Sequence, residues 1–197
     1  IPKVFLDTSS LVAPDELNGD LLLMESRTSV RRITCHLLEQ GRTLPGFIGD
    51  ISYAQSNRER YEGFCQALAD AGKKVDSSLC LTTPLGIDTY REEIDTFLSS
   101  LSRMPDAFVC ASDYVACILM QLLEKRGLRV PEDVAVSGFD NNTEDLLAEH
   151  LTTVQVFNEE LGARLALQIL YRIKYPNTPH EITYLGTNVL YRDSTGD

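Results

Sequence analysis

The sequence predicts an α/β fold with a parallel sheet and helices on both of its faces. Short segments rich in valine, isoleucine, leucine and phenylalanine alternate along the chain with longer segments that have a helical period. The short segments, such as "DAFVCA" at 106–111, lack the alternating polarity of a strand with one wet face. Strands of this kind are covered on both faces, which is typical of parallel sheets. With 197 residues, 43% of them hydrophobic, the chain can form one large domain or two small lobes.

The elements follow one another in a regular order. The predicted strands, in chain order, are 3–7, 19–25, 45–50, 78–83, 106–111, 133–139 and one or two strands within 180–193. The predicted helices, which carry apolar residues at spacings of three and four, are 27–41, 57–72, 88–101, 113–126 and 158–173. In the first helix Val30, Ile33 and Leu37 have this spacing. Asp88 and Asn158 are candidate N-caps of the third and fifth helices.

Charge and composition exclude several classes of function. The net charge of −11 disfavours direct nucleic-acid binding, which depends on lysine and arginine neutralising phosphates. We find no apolar run of the roughly 20 residues that a membrane span needs, and therefore expect no membrane contact. The five cysteines are odd in number and have no paired spacing, so we expect free thiols and a cytoplasmic protein.

The sequence offers no recognisable catalytic, cofactor or metal site. The three histidines lack ligand spacing to one another or to a cysteine, which argues against zinc. Glycine-rich phosphate loops and a GxSxG nucleophile turn are both absent. We therefore expect a protein that is not an enzyme and that uses no cofactor.

Polar residues follow each predicted strand. The segments after the strands are 7–10, 49–52, 82–83, 112–113 and 140–142, and they carry carboxylates, hydroxyls or amides. Ligands of open parallel sheets bind beyond the carboxyl ends of the strands, so these segments predict a site for a small polar ligand. Simpler roles remain open for some of them. Asp113 can cap the helix that follows it, residues 7–10 can form an Asx turn, and Arg58 and Arg60 can be surface arginines.

A longer combination of motifs resembles the effector-binding core of the LacI/GalR family of bacterial transcription repressors. The resemblance is carried by "PDA" at 105–107, "SD" at 112–113, "GLRVPEDV" at 127–134, "GFD" at 138–140 and "LTTV" at 151–154. "GFIGD" and the following "SNRERYEGFCQALADAG" resemble an earlier strand and the arginine-containing helix of the family. The resemblance extends over almost the whole chain.

The resemblance implies a periplasmic-binding-protein-like fold with two interleaved lobes and a ligand cleft between them. It assigns residues 1–25 and 152–175 to a partial N-terminal lobe, and residues 26–151 and 176–197 to the C-terminal lobe. Family members carry a helix-turn-helix, a hinge helix and further strand–helix units before the segment that resembles "IPKVFLD". We expect these to be absent from this chain, which begins at Ile1, and we expect the incomplete lobe to expose apolar surface and an unpaired strand edge.

By position, the resemblance places ligand contacts at Asp7, Arg60, Ser112 and Asp140, with Asn141 as an additional candidate. Arg60 and Asp140 can bind neighbouring hydroxyls through charge-assisted hydrogen bonds. The chain departs from the family at two positions. Val156 stands where a glutamine is common, and Ala54 stands where the purine-binding branch has an arginine. A sugar or sugar phosphate is therefore favoured over a purine.

The expected function is effector sensing in a LacI-family regulator. In this hypothesis a sugar-like ligand in the cleft controls the DNA binding of a homodimer, and operator DNA is contacted only through the absent N-terminal domain. The resemblance implies a dimer face on Ile118, Met120 and Leu122 and on the loop 144–150. The alternative is a periplasmic or secreted sugar-binding protein of the same fold.

Overall fold

The chain alternates strands and helices in a computed structural model that describes residues 1–86, 88–142 and 149–196. The strands are β1 (Val4–Leu6), β2 (Asp20–Met24), β3 (Pro45–Ile48), β4 (Cys80–Leu81), β5 (Ala107–Cys110), β6 (Ala135–Ser137), β7 (Thr153–Gln155), β8 (Ile182–Leu185) and β9 (Asn188–Leu190). The α-helices are α1 (Arg27–Glu39), α2 (Gln55–Asp70), α3 (Tyr90–Ser100), α4 (Asp113–Lys125) and α5 (Asn158–Lys174). The predicted α/β class is confirmed, although most strands are shorter than predicted.

The larger sheet has four parallel strands in the order β4–β3–β5–β6. Successive residues of a strand point to opposite faces. Phe47 of β3 packs in a buried cluster with Phe64 of α2, and Ile48 packs in a second cluster with Leu119 of α4. Both faces of the four-stranded sheet are therefore buried, as the absence of alternating polarity predicts.

The smaller sheet has three parallel strands in the order β1–β2–β8. A buried ion pair fastens α5 to this sheet, because Arg172 binds the Asp20 carboxylate and both side chains are at most 3% exposed. Gln168 of α5 donates a further hydrogen bond to the same carboxylate, at 2.6 Å. Large apolar side chains remain exposed on this part of the molecule, as expected: Leu6, Leu167, Leu170, Ile173 and Ile182.

Strand pairing differs from the expected division of the chain near its carboxyl end. β8 pairs with β2 in the three-stranded sheet, whereas residues 176–197 were expected to lie with residues 26–151. β7 pairs antiparallel with β9, and isolated bridges link Ser137 to Thr152 and Asp140 to Gln155. β7 therefore lies beside the four-stranded sheet. Pairing of strands so far apart in the chain leaves no local trace in the sequence.

Three predicted helix caps are wrong by one position. Ser112, rather than Asp113, is the N-cap of α4, and its Oγ accepts a hydrogen bond from the Val115 amide at 3.3 Å. The N-cap positions of α3 and α5 are Thr89 and Phe157, directly after Asp88 and directly before Asn158, and neither makes a side-chain cap. The residue at which the backbone becomes helical cannot be read from a run of polar residues.

The dimer face implied on α4 is not available as predicted. Ile118 is 7% exposed and Leu122 is 3% exposed, because both belong to the hydrophobic core, and Met120 packs partly against them. A hydrophobic periodicity shows which face of a helix is covered, but not what covers it. Of the loop 144–150, residues 144–148 lie outside the described residues.

Candidate functional site

Arg60 lies between the two sheets and contacts residues from both. This residue of α2 is 5% exposed. On the side of the four-stranded sheet, its guanidinium donates to the Ala111 carbonyl directly after β5, and Asp140 after β6 lies 3.5 Å away. On the side of the three-stranded sheet, the Met24 sulfur of β2 lies 3.6 Å from Nη2. Arg60 therefore marks the place where the carboxyl ends of the two sheets meet.

The guanidinium of Arg60 is held firmly but is only partly satisfied. Its central carbon lies 3.7 Å from the centroid of the Phe139 ring, in a cation–π contact. Burial lowers the pKa of Arg60, and the nearby carboxylates of Asp140 and Asp7 act against this. Its Nε has no hydrogen-bond partner among the described residues. A buried cation with an unused donor and a weak ion pair is suited to binding a ligand oxygen.

Backbone strain is concentrated at predicted site residues. Within the described part of the chain, the non-glycine residues with positive φ are Asp7 at 58°, Asp140 at 110° and Asn141 at 51°. Such conformations cost energy and persist where the surrounding structure holds them, often at functional sites. The Asp140 amide donates to the Val154 carbonyl at 3.0 Å, which fixes the strained turn against β7. Burial raises the pKa of the Asp140 carboxyl, while the charge of Arg60 lowers it.

Asp7 reaches across from the three-stranded sheet to the amino end of α2. Its Oδ2 accepts a hydrogen bond from the Ser56 hydroxyl at 2.5 Å, and its Oδ1 lies 3.4 Å from the Ser56 amide nitrogen. The N-cap residue of α2 is Ala54, which has no side chain that could do this. Asp7 thus supplies the negative charge that a helix amino terminus favours. It joins the two sheets beside Arg60.

The other predicted contacts have structural partners of their own. The Ser112 hydroxyl caps α4, next to the Ala111 carbonyl that Arg60 binds. The Asn141 side chain donates to Gln155 Oε1 at 2.6 Å and accepts from Arg192 at 2.8 Å. The structure therefore brings Asp7, Arg60 and Asp140 together and gives Ser112 and Asn141 supporting contacts around them.

Asp113 has a role that its sequence position did not indicate. It is 2% exposed and accepts hydrogen bonds from the Thr153 hydroxyl at 2.6 Å and the Asn142 amide at 2.8 Å. Gly138 permits this arrangement, because a Cβ there would lie 2.2 Å from Asp113 Oδ1. Burial raises the pKa of Asp113 to about 6, against the lowering effect of its hydrogen bonds. Asp113 fastens the strained turn that carries Asp140.

Glu59 is a second buried carboxylate that sequence reasoning missed. It is 3% exposed and accepts hydrogen bonds from the Tyr184 hydroxyl at 2.8 Å and from Gln55 Nε2 at 3.2 Å. Tyr184 belongs to β8 of the three-stranded sheet, so this contact also bridges the two sheets. Burial, together with the hydrogen bond to the Glu59 carboxylate, raises the pKa of Tyr184 to about 12. Nothing in the sequence near Glu59 or Tyr184 indicates that these two residues, 125 positions apart, form a hydrogen bond.

The described residues contain neither a candidate metal site nor a candidate membrane-spanning helix. Among them, no group of three or more histidine, cysteine, aspartate or glutamate side chains could hold a metal ion. The cysteines Cys35, Cys65, Cys80, Cys110 and Cys117 are free thiols, as expected. None of the described helices is long and apolar enough to cross a membrane.

Sequence comparison identifies relatives among bacterial regulators. A family profile described as "Periplasmic binding protein-like domain" matches residues 34–195. The HTH-type transcriptional regulator DegA of Bacillus subtilis is 35% identical over 65% of this chain and 38% of its own length. The HTH-type transcriptional repressor PurR of Vibrio cholerae is 27% identical over 100% of this chain and 57% of its own length. The chain thus spans 38% and 57% of the length of these two relatives.

Comparison with solved structures likewise identifies bacterial transcriptional regulators. The complex of the transcriptional regulator CelR with cellobiose has a TM-score of 0.86 and 27% identity, over 98% of this chain and 59% of that one. A protein from Sanguibacter keddieii, described as a regulator of the LacI family, has a TM-score of 0.83 and 26% identity, over 100% of this chain and 72% of that one. The chain belongs to the periplasmic binding protein-like domain family, as an effector-binding domain of the LacI type.

Proposed function

We propose that the chain binds a sugar or sugar phosphate between its two sheets, with Arg60 and Asp140 as the main contacts. The observation that carries the proposal is Arg60, a buried cation with an unused donor at the carboxyl ends of both sheets. Asp140 adds an acceptor, so the pair can bind two neighbouring hydroxyls. Asp7, Ser112 and Asn141 complete the proposed site. Ala54 lacks the side chain expected for a purine-binding relative.

In the full protein, this binding controls transcription. A ligand that contacts both sheets binds one relative arrangement of the sheets more tightly than others, and so shifts the population toward that arrangement. The relatives are named transcriptional regulators, and the proposed output is altered operator binding by a homodimer in the cytoplasm. DNA is contacted by another part of the protein, in keeping with the net charge of −11. The role that we propose for the full protein is that of a sensor, rather than of an enzyme or a secreted binding protein.

Isothermal titration calorimetry with the full protein tests the proposal. The panel contains ribose, glucose, cellobiose, glucose 6-phosphate and a purine base. At least one sugar is expected to bind. Arg60→Met and Asp140→Asn are each expected to weaken its binding by about 10- to 100-fold, because each removes a charge-assisted hydrogen bond.

Matched surface variants provide the controls. Arg32→Ala and Asp15→Ala remove exposed charges that are not among the proposed contacts, and both variants are expected to bind like the parent protein. Circular dichroism and the melting temperature establish that each variant is folded. The proposal is wrong if folded Arg60→Met and Asp140→Asn both bind the sugar as tightly as the parent protein, or if only the purine binds.

A further inference from the structure

Three tyrosines line the same edge of the four-stranded sheet as the proposed site. Tyr53 lies in the turn between β3 and α2, Tyr114 in the first turn of α4 after β5, and Tyr90 at the start of α3, the helix that follows β4, while Asp140 follows β6. The sheet order is β4–β3–β5–β6, so neighbouring strands present one of these side chains after another. The carboxyl ends of parallel strands lie at one edge of a sheet. The tyrosines therefore continue the line that begins at Asp140.

Two of the three tyrosine side chains contact each other, and Tyr53 lies near Tyr90. The rings of Tyr90 and Tyr114 meet edge to face, with centroids 5.7 Å apart and an interplanar angle of 83°. Burial raises the pKa of the Tyr90 hydroxyl, and the neighbouring Asp50, Tyr53 and Tyr114 groups add to this effect. Tyr53 and Tyr114 are nevertheless 72% and 59% exposed. Large exposed rings in one group mark an interaction surface more often than isolated ones do.

The turn that carries Tyr53 is fixed rather than loose. Asp50 Oδ1 accepts hydrogen bonds from the Ser52 amide at 2.8 Å, the Ser52 hydroxyl at 2.6 Å and the Tyr53 amide at 3.1 Å. The Ser10 hydroxyl, from the segment after β1, donates to the Ser52 carbonyl at 3.1 Å. The turn therefore lies at the junction of the two sheets, as Arg60 does. An aromatic ring presented on a fixed backbone loses little conformational freedom on binding.

We propose that Tyr53, Tyr90 and Tyr114 form a stacking surface for a second sugar ring, and that the effector is an oligosaccharide rather than a single sugar. The inference rests on the proposed function. Aromatic faces bind the apolar C–H face of a sugar ring, while Asp140 and Arg60 bind hydroxyls. Strands are spaced at about 4.8 Å, so the line from β6 to β4 is about 14 Å long. That length exceeds one pyranose ring and fits two or three joined rings.

Calorimetry with a length series tests the inference on the full protein. The probes are glucose, mannose and xylose, and the β-1,4-linked disaccharide and trisaccharide of each. A disaccharide or trisaccharide is expected to bind at least about tenfold more tightly than its monosaccharide. Tyr53→Ala and Tyr114→Ala are expected to remove about three- to tenfold of that gain while leaving monosaccharide binding unchanged.

The controls separate stacking from other roles of the tyrosines. Tyr53→Phe and Tyr114→Phe keep the rings and are expected to keep the gain with length. Tyr175→Ala removes an exposed ring at the end of α5 and is expected to have no effect on binding.

Binding that is equally tight for all sugar lengths, or that is unaffected by Tyr53→Ala and Tyr114→Ala, overturns the stacking surface and leaves the proposed function standing. A change of oligomeric mass in these variants by light scattering, without loss of the gain, assigns the rings to a protein interface and also overturns it. If no sugar binds, both proposals fail.

Discussion

At the scale of the residue, the site depends on buried carboxylates that accept hydrogen bonds from neighbouring segments of the chain. Asp113 is the clearest case, because it accepts hydrogen bonds from Thr153 and from the Asn142 amide beside the strained turn. Its charge is costly in this position, and burial raises its pKa from 3.8 to about 6. Asp140 and Arg192 are the charged groups that act on it from neighbouring segments.

The raised pKa predicts a specific dependence of stability on pH. Because the folded state holds the Asp113 proton more tightly than the unfolded state, this group lowers the free energy of unfolding as pH rises from about 4 to about 6. Its full cost is present above that window and amounts to at most about 3 kcal/mol. Asp113→Asn removes the titrating group and is expected to become more stable relative to the parent protein as pH rises through the window. Urea denaturation at pH 4.5, 5.5 and 7 measures this. A constant difference between the two proteins at all three values would contradict the assignment.

At the scale of the element, helix α2 is the centre of the molecule. It carries Arg60 and Glu59, receives the Asp7 carboxylate at its amino end, and packs closely on α1. Gly63 makes that packing possible. A Cβ at Gly63 would lie 2.2 Å from the Arg27 carbonyl oxygen, which is backbone of α1 and cannot turn aside.

A pair of glycine substitutions tests the close approach of α1 and α2. Gly63→Ala is expected to reduce the free energy of unfolding by about 1–3 kcal/mol, because the helices must separate. Gly162→Ala in α5 is the matched control. Apart from the nearby backbone of α5 itself, no atom of the described residues lies within 4 Å of its added Cβ, so Gly162→Ala is expected to stabilise the protein by about 0.5–1 kcal/mol. Chemical denaturation measures both values. A Gly63→Ala protein as stable as the parent would show that the helices do not pack as described.

Local sequence patterns predict where the strands and helices lie far better than they predict which elements pair with one another. The strands at β3 and β5 and the helices α1 and α2 are foreseen, because compositional runs and helical spacing arise within a few residues. The pairing of β8 with β2 and the hydrogen bond from Tyr184 to Glu59 are not foreseen. Both join residues far apart in the chain, and nothing near either residue specifies the partner.

The same limit applies to the site. The rule that ligands bind beyond the carboxyl ends of strands selects the segments after β1, β3, β4, β5 and β6, and the structure brings residues of two of them, Asp7 and Asp140, beside Arg60. The rule does not reveal that Asp7 caps α2 or that Asp113 braces the turn. Those roles depend on tertiary distances rather than on residue type. The choice of ligand residues remains a prediction.

At the scale of the whole molecule, several contacts join the two sheets around one place. Asp7 binds Ser56, Tyr184 binds Glu59, and Arg60 approaches Met24 and Ala111 at once. A ligand that binds Arg60 therefore acts on the region where the sheets meet. The proposed function requires that occupancy of this site shift the relative position of the two sheets, as in an effector domain.

A crystal structure of the full protein with its tightest-binding sugar tests the central claim most directly. The account predicts sugar oxygens within about 3 Å of the Arg60 guanidinium and the Asp140 carboxylate, between the two sheets. A well-ordered sugar bound elsewhere, with Arg60 still paired only to protein groups, would contradict it.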